Sequence, residues 1–504
     1  MKRRDSIRRV SILSRIGNPS AITANRETRN QPAFHNPKGV RSMSKLQHNT
    51  ISRRSFLKAS ALTVGGTLLA ACAAPAAAPA GDSGSDAGAS MEMIEMRLSA
   101  WADVQDAVVY ENMVNAYMAQ NEGVSVSVEQ YPGGYYEKIQ ANFAADDSAD
   151  VLYFQGWIWQ AYAENQVIYD MSDYIARDGA DDFFPGGENY DNQTLWQGGR
   201  YMTPTDTGSL VIYYNKDLFD KKGVAHPQPG WKWEEFQQII QDLSYEEDGT
   251  KFYGWGQAQG WNGAYGRSTT FMRRNGHIEW DRITEPTEAY WDNEDIASAL
   301  QYLVYDAIAN DWSPGPEVVE GGGVGVDTGR VAMYLEGPWV MPRLQGELAT
   351  TEEGINFDVI EAPTGTADTN FTFGHVHGHV ITSPSAYKDE GWDLIKFILG
   401  EEGQTIIANG GRMCGAPDNI ANIWGEIASG VYGFENTDAF ANTMRESSIS
   451  VIFGEGSQIQ AYGGGPITVL WDKLLGQTES AAEALAIAQP EIQSHLDQYW
   501  ADRA

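Results

Sequence analysis

Hydrophobic positions near the start of the main body of the chain follow two spacings in turn. Residues 94–101 and 124–128 carry apolar side chains at every second position, which indicates half-buried strands, and residues 150–154 form a short run typical of a buried parallel strand. Apolar positions three and four residues apart predict helices over 107–118 and 135–145. This alternation predicts an α/β fold, in which ligands bind at the carboxyl ends of the strands.

The rest of the chain mixes longer helices with short strands. The spacing predicts helices over 233–243 and 295–309, strands over 331–335 and 376–382, and a closing amphipathic helix over 481–500. No segment repeats at a fixed period. Because the chain has 504 residues, against roughly 100–200 for a typical domain, we expect two or more domains.

The N-terminal segment has the layout of an export signal. Residues 52–58, Ser-Arg-Arg-Ser-Phe-Leu-Lys, resemble the twin-arginine signal, and a stretch of low polarity follows over 59–71. It ends in Leu-Ala-Ala before Cys72, which resembles a lipobox whose cysteine is diacylated. The alternative, an arginine-rich tail before an ordinary core helix, conflicts with Gly65 and Gly66 inside the stretch.

Two further segments flank this signal. Residues 73–91 are rich in Pro, Ala, Gly and Ser, so we expect a disordered tether. Residues 1–42 are basic without an apolar period, and a start at Met43 instead of Met1 gives the arginine pair a more usual position. We therefore assign residues 1–72 to a basic extension, the signal and the lipobox.

Composition and charge exclude several classes of function. Basic residues number 35 and acidic residues 68, for a formal charge of −33, and a chain starting at Cys72 retains 21 and 66, or −45. Such an acidic surface repels phosphate backbones, which excludes nucleic acid as a partner. Two cysteines exclude a disulfide framework and cysteine-rich zinc sites, and no apolar run reaches the roughly 18 residues of a membrane-spanning helix.

Several motifs resemble the family 1 extracellular solute-binding proteins. Residues 213–219 read Tyr-Tyr-Asn-Lys-Asp-Leu-Phe, and residues 229–236 read Pro-Gly-Trp-Lys-Trp-Glu-Glu-Phe, where Lys232 replaces a Thr of the family pattern Pro-x-Thr-Trp-x-Glu-Phe. Gly-Arg-Val-Ala-Met at 329–333, followed by Gly-Pro-Trp at 337–339, resembles a motif shared with the maltose-binding-protein branch.

Ala-Asp-Val at 149–151 and the segment 392–398 match two more family motifs. The resemblance implies the type II periplasmic-binding fold, with two α/β lobes joined by a three-segment hinge. Carried over to this sequence, the three crossings fall near 204–208, 373–377 and 413–417, where glycine and proline are present.

The resemblance also implies the organisation and function of the chain. Lobe 1 would comprise 92–205 and 376–414, and lobe 2 would comprise 206–375 and 415–504. The expected function is capture of a carbohydrate between the lobes and delivery to the permease of an ABC importer, by a monomer that is lipid-anchored outside the cytoplasm. No catalytic residue, cofactor or bound metal is expected.

Aromatic side chains are the candidate platforms for such a ligand, because sugars present apolar C–H faces to flat rings. Their places after strands and within or beside family motifs mark six residues as predicted ligand contacts: Trp101, Trp157, Trp159, Trp261, Tyr265 and Trp339. Each has a structural alternative, since the chain contains 16 tryptophans and buried aromatic rings are common in protein cores.

Sugar hydroxyls also need polar partners, because a buried hydroxyl left unpaired costs about 1–3 kcal/mol. Asp206 lies on the first crossing, and Asp103 follows the first strand, where polar contacts of the family cluster. Glu336 and Arg412 complete the predicted polar set. The alternatives are a helix or turn cap for Asp206 and a solvated or salt-bridged position for Glu336 and Arg412.

Three histidines lie at alternate positions of one predicted strand: His375, His377 and His379. Alternate residues face the same side of a strand, so three imidazoles could meet one metal ion. That interpretation needs flanking ligands that the sequence does not show. We therefore name His375 and His377 as predicted ligand contacts, with a structural role at the hinge as the alternative.

Two other functions stay open at the level of sequence. A non-sugar solute, such as a polyamine, an amino acid or a metal complex, would use the same fold. A secreted glycan hydrolase would need two carboxylates beside the scissile bond. The chain has 68 acidic residues, so their presence alone does not decide between binding and hydrolysis.

Overall fold

A computed structural model describes residues 93–102, 104–256, 263–320, 324–346, 349, 351–367, 371–455 and 465–504. All of them belong to one compact unit, Leu62–Ala504. The predicted export signal, the lipid-attachment residue Cys72 and the tether lie outside the described residues, as do the candidate contacts Asp103 and Trp261.

Strands alternate with helices over the first part of the described chain. In order, the strands are β1 Ile94–Trp101, β2 Val124–Tyr131, β3 Val151–Gln155, β4 Leu195–Trp196, β5 Gly199–Arg200, β6 Asp206–Ser209, β7 Val211–Asn215, β8 Tyr245–Glu247, β9 Thr250–Gly256, β10 Val331–Glu336, β11 Phe357–Ile360, β12 Thr372–Ile381 and β13 Ser447–Ser448. The predicted strands at 94–101, 124–128, 150–154 and 331–335 are confirmed within a few residues.

Helices fill the connections and form the C-terminal part. They are α1 Val104–Gln120, α2 Tyr135–Ala144, α3 Gln160–Glu164, α4 Ser172–Asp178, α5 Glu188–Thr194, α6 Lys216–Lys222, α7 Trp233–Asp242, α8 Ser268–Met272, α9 Glu294–Leu300, α10 Ala307–Ala309, α11 Pro316–Glu320, α12 Met341–Leu344, α13 Lys388–Leu399, α14 Glu401–Asn409, α15 Pro417–Asn419, α16 Gly425–Tyr432, α17 Asp438–Arg445, α18 Gly465–Leu475 and α19 Ala481–Arg503. Within the ranges above, no helix is long and apolar enough to cross a membrane.

The strands form two main sheets. In the first, the order is β13-β12-β3-β1-β2, with β6 also paired to β12. β1 runs parallel to β2 and β3, whereas β12 runs antiparallel to β3 and β6. The second sheet has the order β11-β7-β10-β9-β8 and mixes parallel and antiparallel pairs. This mixed α/β architecture agrees with the predicted fold class.

Apolar packing explains why these elements hold together. One cluster joins β1, β3 and the end of β12 to α1 and α13, through residues such as Leu98, Tyr110 and Trp392 that are 2% exposed or less. A larger cluster continues from β3 across β7 and β10 into the C-terminal helices. Each buried large apolar side chain contributes roughly 1.5–3 kcal/mol relative to an exposed one.

The three segments predicted to cross between lobes lie side by side. β6 pairs with β12 from Gly374 opposite Ser209 to His377 opposite Asp206. On its other side, the Thr207 amide donates to the Met413 carbonyl at 3.2 Å, and the Thr207 hydroxyl donates to Cys414 at 2.7 Å. β6, the first half of β12 and the segment at Met413 and Cys414 are therefore three adjacent backbone segments.

Close approach of these segments requires glycine. A Cβ atom on Gly378 of β12 would lie 1.4 Å from the carbonyl oxygen of Thr203.

The predicted lobe boundaries place β6 and β13 in lobe 2, yet both strands hydrogen-bond to β12 in the first sheet. The reason is that they pair with the first half of β12, which is itself the predicted crossing.

Candidate ligand-binding site

Most of the predicted contacts that the structure describes come together where β6 and β12 run side by side. β12 supplies two of them, β6 supplies one, and the loops after β3, β10 and α14 supply one each. The residues of this group, called here the crossing cluster, are Trp157, Asp206, Trp339, His375, His377 and Arg412.

Four rings form the aromatic part of the crossing cluster. The imidazoles of His375 and His377 stack with centroids 4.5 Å apart and an interplanar angle of 22°, as expected for alternate residues of one strand. Trp157 meets both edge-on, with centroids 5.7 Å from His375 and 5.8 Å from His377. Trp339 lies over His375 at 5.6 Å and is itself 45% exposed. The exposed indole beside the buried His375 imidazole offers a flat apolar face to a ligand.

A buried group of ion pairs and hydrogen bonds, centred on Asp206, lies next to these rings. Asp206, 3% exposed, lies 3.1 Å from Arg412 Nη2 and 3.1 Å from His377 Nδ1, and its carboxylate accepts from the Tyr153 hydroxyl at 3.0 Å. Arg412 Nη1 also lies 2.8 Å from Asp106. Burial disfavours the charged carboxylate, but Arg412 and His377 outweigh it and hold the pKa of Asp206 far below its usual range.

Burial lowers the pKa of two histidines beside this group, because it disfavours their charged form. His375 is 7% exposed, and burial, reinforced by the neighbouring His377, lowers its pKa well below the usual value. His379 is fully buried, and burial lowers its pKa to about 4. Its Nδ1 pairs with the Thr205 hydroxyl at 2.7 Å. His379 is therefore a neutral structural residue beneath the crossing cluster.

Two imidazole nitrogens of the crossing cluster are buried without a hydrogen-bond partner among the described residues, His375 Nδ1 and His377 Nε2. Buried polar atoms in native proteins are nearly always paired, with protein, water or ligand. Leaving such an atom unpaired costs about 1–3 kcal/mol. A ligand with polar groups can supply the missing partners.

Gly208 of β6 makes room for the rings. A Cβ atom at this position would lie 2.1 Å from His375 Nε2 and 2.9 Å from Cζ3 of Trp339. Both contacts are shorter than real Cβ atoms show, so any side chain here displaces His375 or Trp339. The glycine is required for the ring packing of the crossing cluster.

The predicted contact Glu336 lies at the end of β10, three residues before Trp339. Its Oε1 is 2.5 Å from Nη2 and 2.8 Å from Nε of Arg267, and its Oε2 accepts from the Gly337 amide at 3.1 Å. Both side chains of the pair are mostly buried. Arg267, which sequence analysis did not name, therefore balances the charge of Glu336 in an ion pair beside the crossing cluster.

Two predicted aromatic contacts lie elsewhere, in the core. Trp159 is fully buried, and its indole N–H donates to the Gln193 carbonyl at 2.9 Å. Tyr265 is 1% exposed, and its hydroxyl donates to Glu279 at 2.6 Å. In both cases, the structural alternative describes the observed position, because the polar atom already has an internal partner.

Trp101 takes a third kind of position. It ends β1 and is 38% exposed. Since Ser99 lies opposite Leu152 in the parallel register, β1 and β3 end at the same edge of the sheet, and Trp157 follows β3 there. Trp101 is thus placed at the predicted carboxyl edge.

Sequence reasoning missed three residues around the crossing cluster. Tyr153, Asp106 and Arg267 each contact a predicted member directly. Tyr153 was visible only as part of an apolar strand, and its partner depends on the antiparallel register that puts it opposite His379. Asp106 and Arg267 are distant in sequence from their partners, so no local pattern could reveal them.

The metal interpretation finds no support in the described part of the chain, where no group of three or more His, Cys, Asp or Glu side chains could hold a metal ion. His379 points to Thr205 and to the rings of Tyr153 and Tyr110 instead. The three histidines share one strand, but His379 turns its Nδ1 to Thr205, whereas His375 and His377 stack on each other.

Comparison with known proteins identifies the family. The sequence model of one family, the bacterial extracellular solute-binding proteins, matches residues 101–405, which is more than half of the chain. The chain belongs to this family. A curated binding protein of Brucella abortus (strain 2308) is 22% identical to it over 308 residues, which cover 58% of this chain and 69% of that protein. Membership makes this chain a solute-binding protein that works outside the cytoplasm, as the motifs predicted.

Solved structures share the fold of this solute-binding protein. An ABC substrate-binding protein of Listeria monocytogenes, in complex with cycloalternan, aligns with a TM-score of 0.63 and 19% identity over 81% of this chain and 100% of that chain. The sugar-binding protein MalE of Xanthomonas citri aligns with a TM-score of 0.63 and 21% identity over 81% and 99%. The predicted type II periplasmic-binding fold is confirmed.

Proposed function

We propose that this solute-binding protein captures a carbohydrate between two lobes, at the crossing cluster, and delivers it to the permease of an ABC importer. The observation that carries the proposal is the combination found there. An exposed and a half-buried indole lie against two imidazoles, each of which has one buried nitrogen without a hydrogen-bond partner among the described residues. A sugar matches both features, with C–H faces for the rings and hydroxyls for the nitrogens.

The charges at the site favour an uncharged ligand. Each of the three carboxylates, Asp106, Asp206 and Glu336, has an oxygen within 3.1 Å of an arginine nitrogen. Polyamines need carboxylates that are free to pair with ammonium groups, and here those groups already have guanidinium partners. The same pairing occupies Arg267 and Arg412, which argues equally against an anionic solute. A sugar needs no such charge.

The relatives support the same ligand class. One solved neighbour holds cycloalternan, and another is a sugar-binding protein by name. We propose no catalytic activity, which suits a family of binding proteins. The single cysteine of the described part, Cys414, is buried, and burial raises the pKa of its thiol to about 12, which opposes a nucleophilic role.

The proposed lobes are those of the sequence prediction, 92–205 with 376–414 and 206–375 with 415–504. The three backbone segments that run side by side at β6, β12 and Met413 would act as the hinge. Such a hinge needs only a few residues to absorb the change in φ and ψ. We further propose that the mature protein is a monomer tethered through a diacylated Cys72 after twin-arginine export.

Thermal unfolding of the purified protein with a panel of ligands tests the proposed ligand class. The panel contains mono- and oligosaccharides, spermidine, amino acids and zinc chloride. Because a ligand of the native state alone stabilises it by RT ln(1 + [L]/Kd), about 2.7 kcal/mol at a hundredfold excess over Kd, a sugar should raise the melting temperature by several degrees. A rise with spermidine or zinc alone would contradict the carbohydrate assignment.

A further inference from the structure

The contacts of His377 define which of its nitrogens carries the hydrogen. Nδ1 lies 3.1 Å from Asp206 Oδ1 and 2.8 Å from the Tyr153 oxygen. Arg412 and His377 keep Asp206 ionised. A bare Nδ1 would set its lone pair against the lone pairs of this carboxylate inside a buried site, which is unfavourable. In its uncharged form the ring therefore carries its hydrogen on Nδ1 and donates it to Asp206.

The Tyr153 hydroxyl is consistent with this arrangement. It accepts a hydrogen bond from Arg412 Nη2 and lies 3.0 Å from both carboxylate oxygens of Asp206. Burial keeps the pKa of Tyr153 well above its usual value, so the phenol retains its proton and donates it to the carboxylate. Arg412, Tyr153 and the His377 ring thus all direct hydrogens toward Asp206.

His377 Nε2 is then a hydrogen-bond acceptor without a partner in the described ranges. The ring that carries it is mostly buried, with a side-chain exposure of 14%. It is in contact with Trp157 on one side and His375 on another, and His375 contributes a second unpaired nitrogen. A ligand seated against the indoles of Trp157 and Trp339 would lie next to this polar edge.

We propose that His377 Nε2 is a specificity-determining acceptor for one hydroxyl group of the bound sugar, and that Asp206 is the positioning residue that fixes His377 in the required tautomer. The inference rests on the proposed carbohydrate ligand and deepens it. It assigns to the site a requirement for a hydroxyl donor at one position of the sugar ring, because a sugar without that hydroxyl leaves Nε2 unpaired.

The tautomer is measured first, without ligand. Long-range ¹H–¹⁵N correlation spectra of protein labelled in its histidines separate the two tautomers, and His377→Gln identifies the signal. We expect hydrogen on Nδ1 in the wild type and a shift toward hydrogen on Nε2 in Asp206→Asn, whose amide N–H can donate to the ring. A wild-type signal from the tautomer with hydrogen on Nε2 would overturn the positioning role.

The hydroxyl requirement is measured by titration calorimetry with the preferred sugar and its monodeoxy analogues. We expect one analogue to bind the wild type roughly tenfold or more weakly than the parent sugar. In His377→Phe, which keeps a ring but no acceptor, that ratio should fall to about one. In His377→Gln, which keeps an acceptor oxygen, part of the ratio should return.

The outcomes separate this inference from the function on which it rests. If the wild type binds sugars and the deoxy ratios are unchanged in His377→Phe, the specificity role is wrong while the carbohydrate function stands. If the wild type binds no sugar at all, the proposed function fails and the hydroxyl acceptor fails with it. The tautomer measurement still decides the role of Asp206 in that case.

Discussion

The packing of the four rings depends on the single residue Gly208. Because a Cβ atom there would lie 2.1 Å from His375 Nε2, Gly208→Ala should displace His375, lower the free energy of unfolding by about 1–3 kcal/mol and weaken ligand binding. The matched control is Gly430→Ala in α16, where a Cβ atom meets nothing within 4 Å. This control should be neutral or slightly stabilising, since alanine favours helix. Urea denaturation of both variants checks the prediction, and equal stabilities would contradict the packing described here.

The buried neutral histidines make stability depend on pH. His379 has a folded-state pKa of about 4 against an ordinary value near 6.5, so between these values the unfolded chain binds more protons than the folded chain. Stability is therefore complete above about pH 6.5 and falls as the pH drops toward 4, by on the order of 3 kcal/mol from this residue alone. His375 acts in the same direction.

Denaturation curves between pH 7.5 and pH 4.5 measure this loss. His379→Gln removes the titrating group and retains polar atoms for Thr205, so the fall in stability should be smaller in this variant. His495→Gln is the control, because this residue lies in α19, whereas the buried histidines lie in β12. An identical pH dependence in the wild type and His379→Gln would contradict the assignment of His379 as a buried neutral base.

At the residue scale, sequence patterns predicted part of the site. Alternation along the strand placed His375 and His377 on one face, and the stacked rings confirm that placement. The same reasoning could not separate Trp157 from Trp159, because both follow β3 and only the turn after the strand decides which indole enters the core. The contact of Tyr153 with the site could not be predicted, because it depends on the register between β3 and β12, which neither strand reveals in its own sequence.

At the scale of elements, α19 joins distant parts of the chain. Arg503 at its end forms ion pairs with Glu164 of α3 and with Glu285 at 3.4 Å, and it donates to the Glu455 carbonyl at 3.0 Å. The Arg503 and Glu164 side chains are 24% and 13% exposed, so solvent screens the network less than an isolated surface pair. The helix end is therefore held by a network rather than by one contact.

Arg503→Gln should lower the free energy of unfolding by about 1 kcal/mol, with a smaller effect at 1 M salt. Arg445→Gln is the matched control, because its partner Asp418 is 84% exposed and such pairs contribute little. Urea titrations at low and high salt provide the comparison. Equal losses in the two variants would show that the Arg503 network adds nothing beyond an ordinary surface pair.

Element types were predictable, whereas their interruptions and ends were not. The predicted helix over 295–309 is α9 and α10 joined by a π-helical segment, Gln301–Asp306, which apolar spacing does not reveal. β12 starts at Thr372, four residues before the predicted start, because pairing with β6 and β13 extends it. Tertiary pairing therefore accounts for the extension of β12.

At the scale of the whole molecule, the fold follows from the order of elements, and the proposed function rests on one place within it. β6, β12 and the segment at Met413 run side by side, and aromatic and polar side chains gather there. The overall charge of −33 excludes nucleic acid but does not select the ligand, since the carboxylates at the crossing cluster are paired with arginines. The ion pairs between carboxylates and arginines at the site, rather than the total charge of the chain, favour an uncharged solute.

The most direct test of the central claim is titration calorimetry of the wild type and Trp339→Ala with the sugar that stabilises the protein most. Trp339 is 45% exposed and packs on His375, so its removal should weaken binding at least tenfold while changing stability little. Tyr290→Ala, which removes an aromatic ring of 42% exposure elsewhere, should bind like the wild type. Binding by Trp339→Ala as tight as that of the wild type would contradict the placement of the ligand at the crossing cluster.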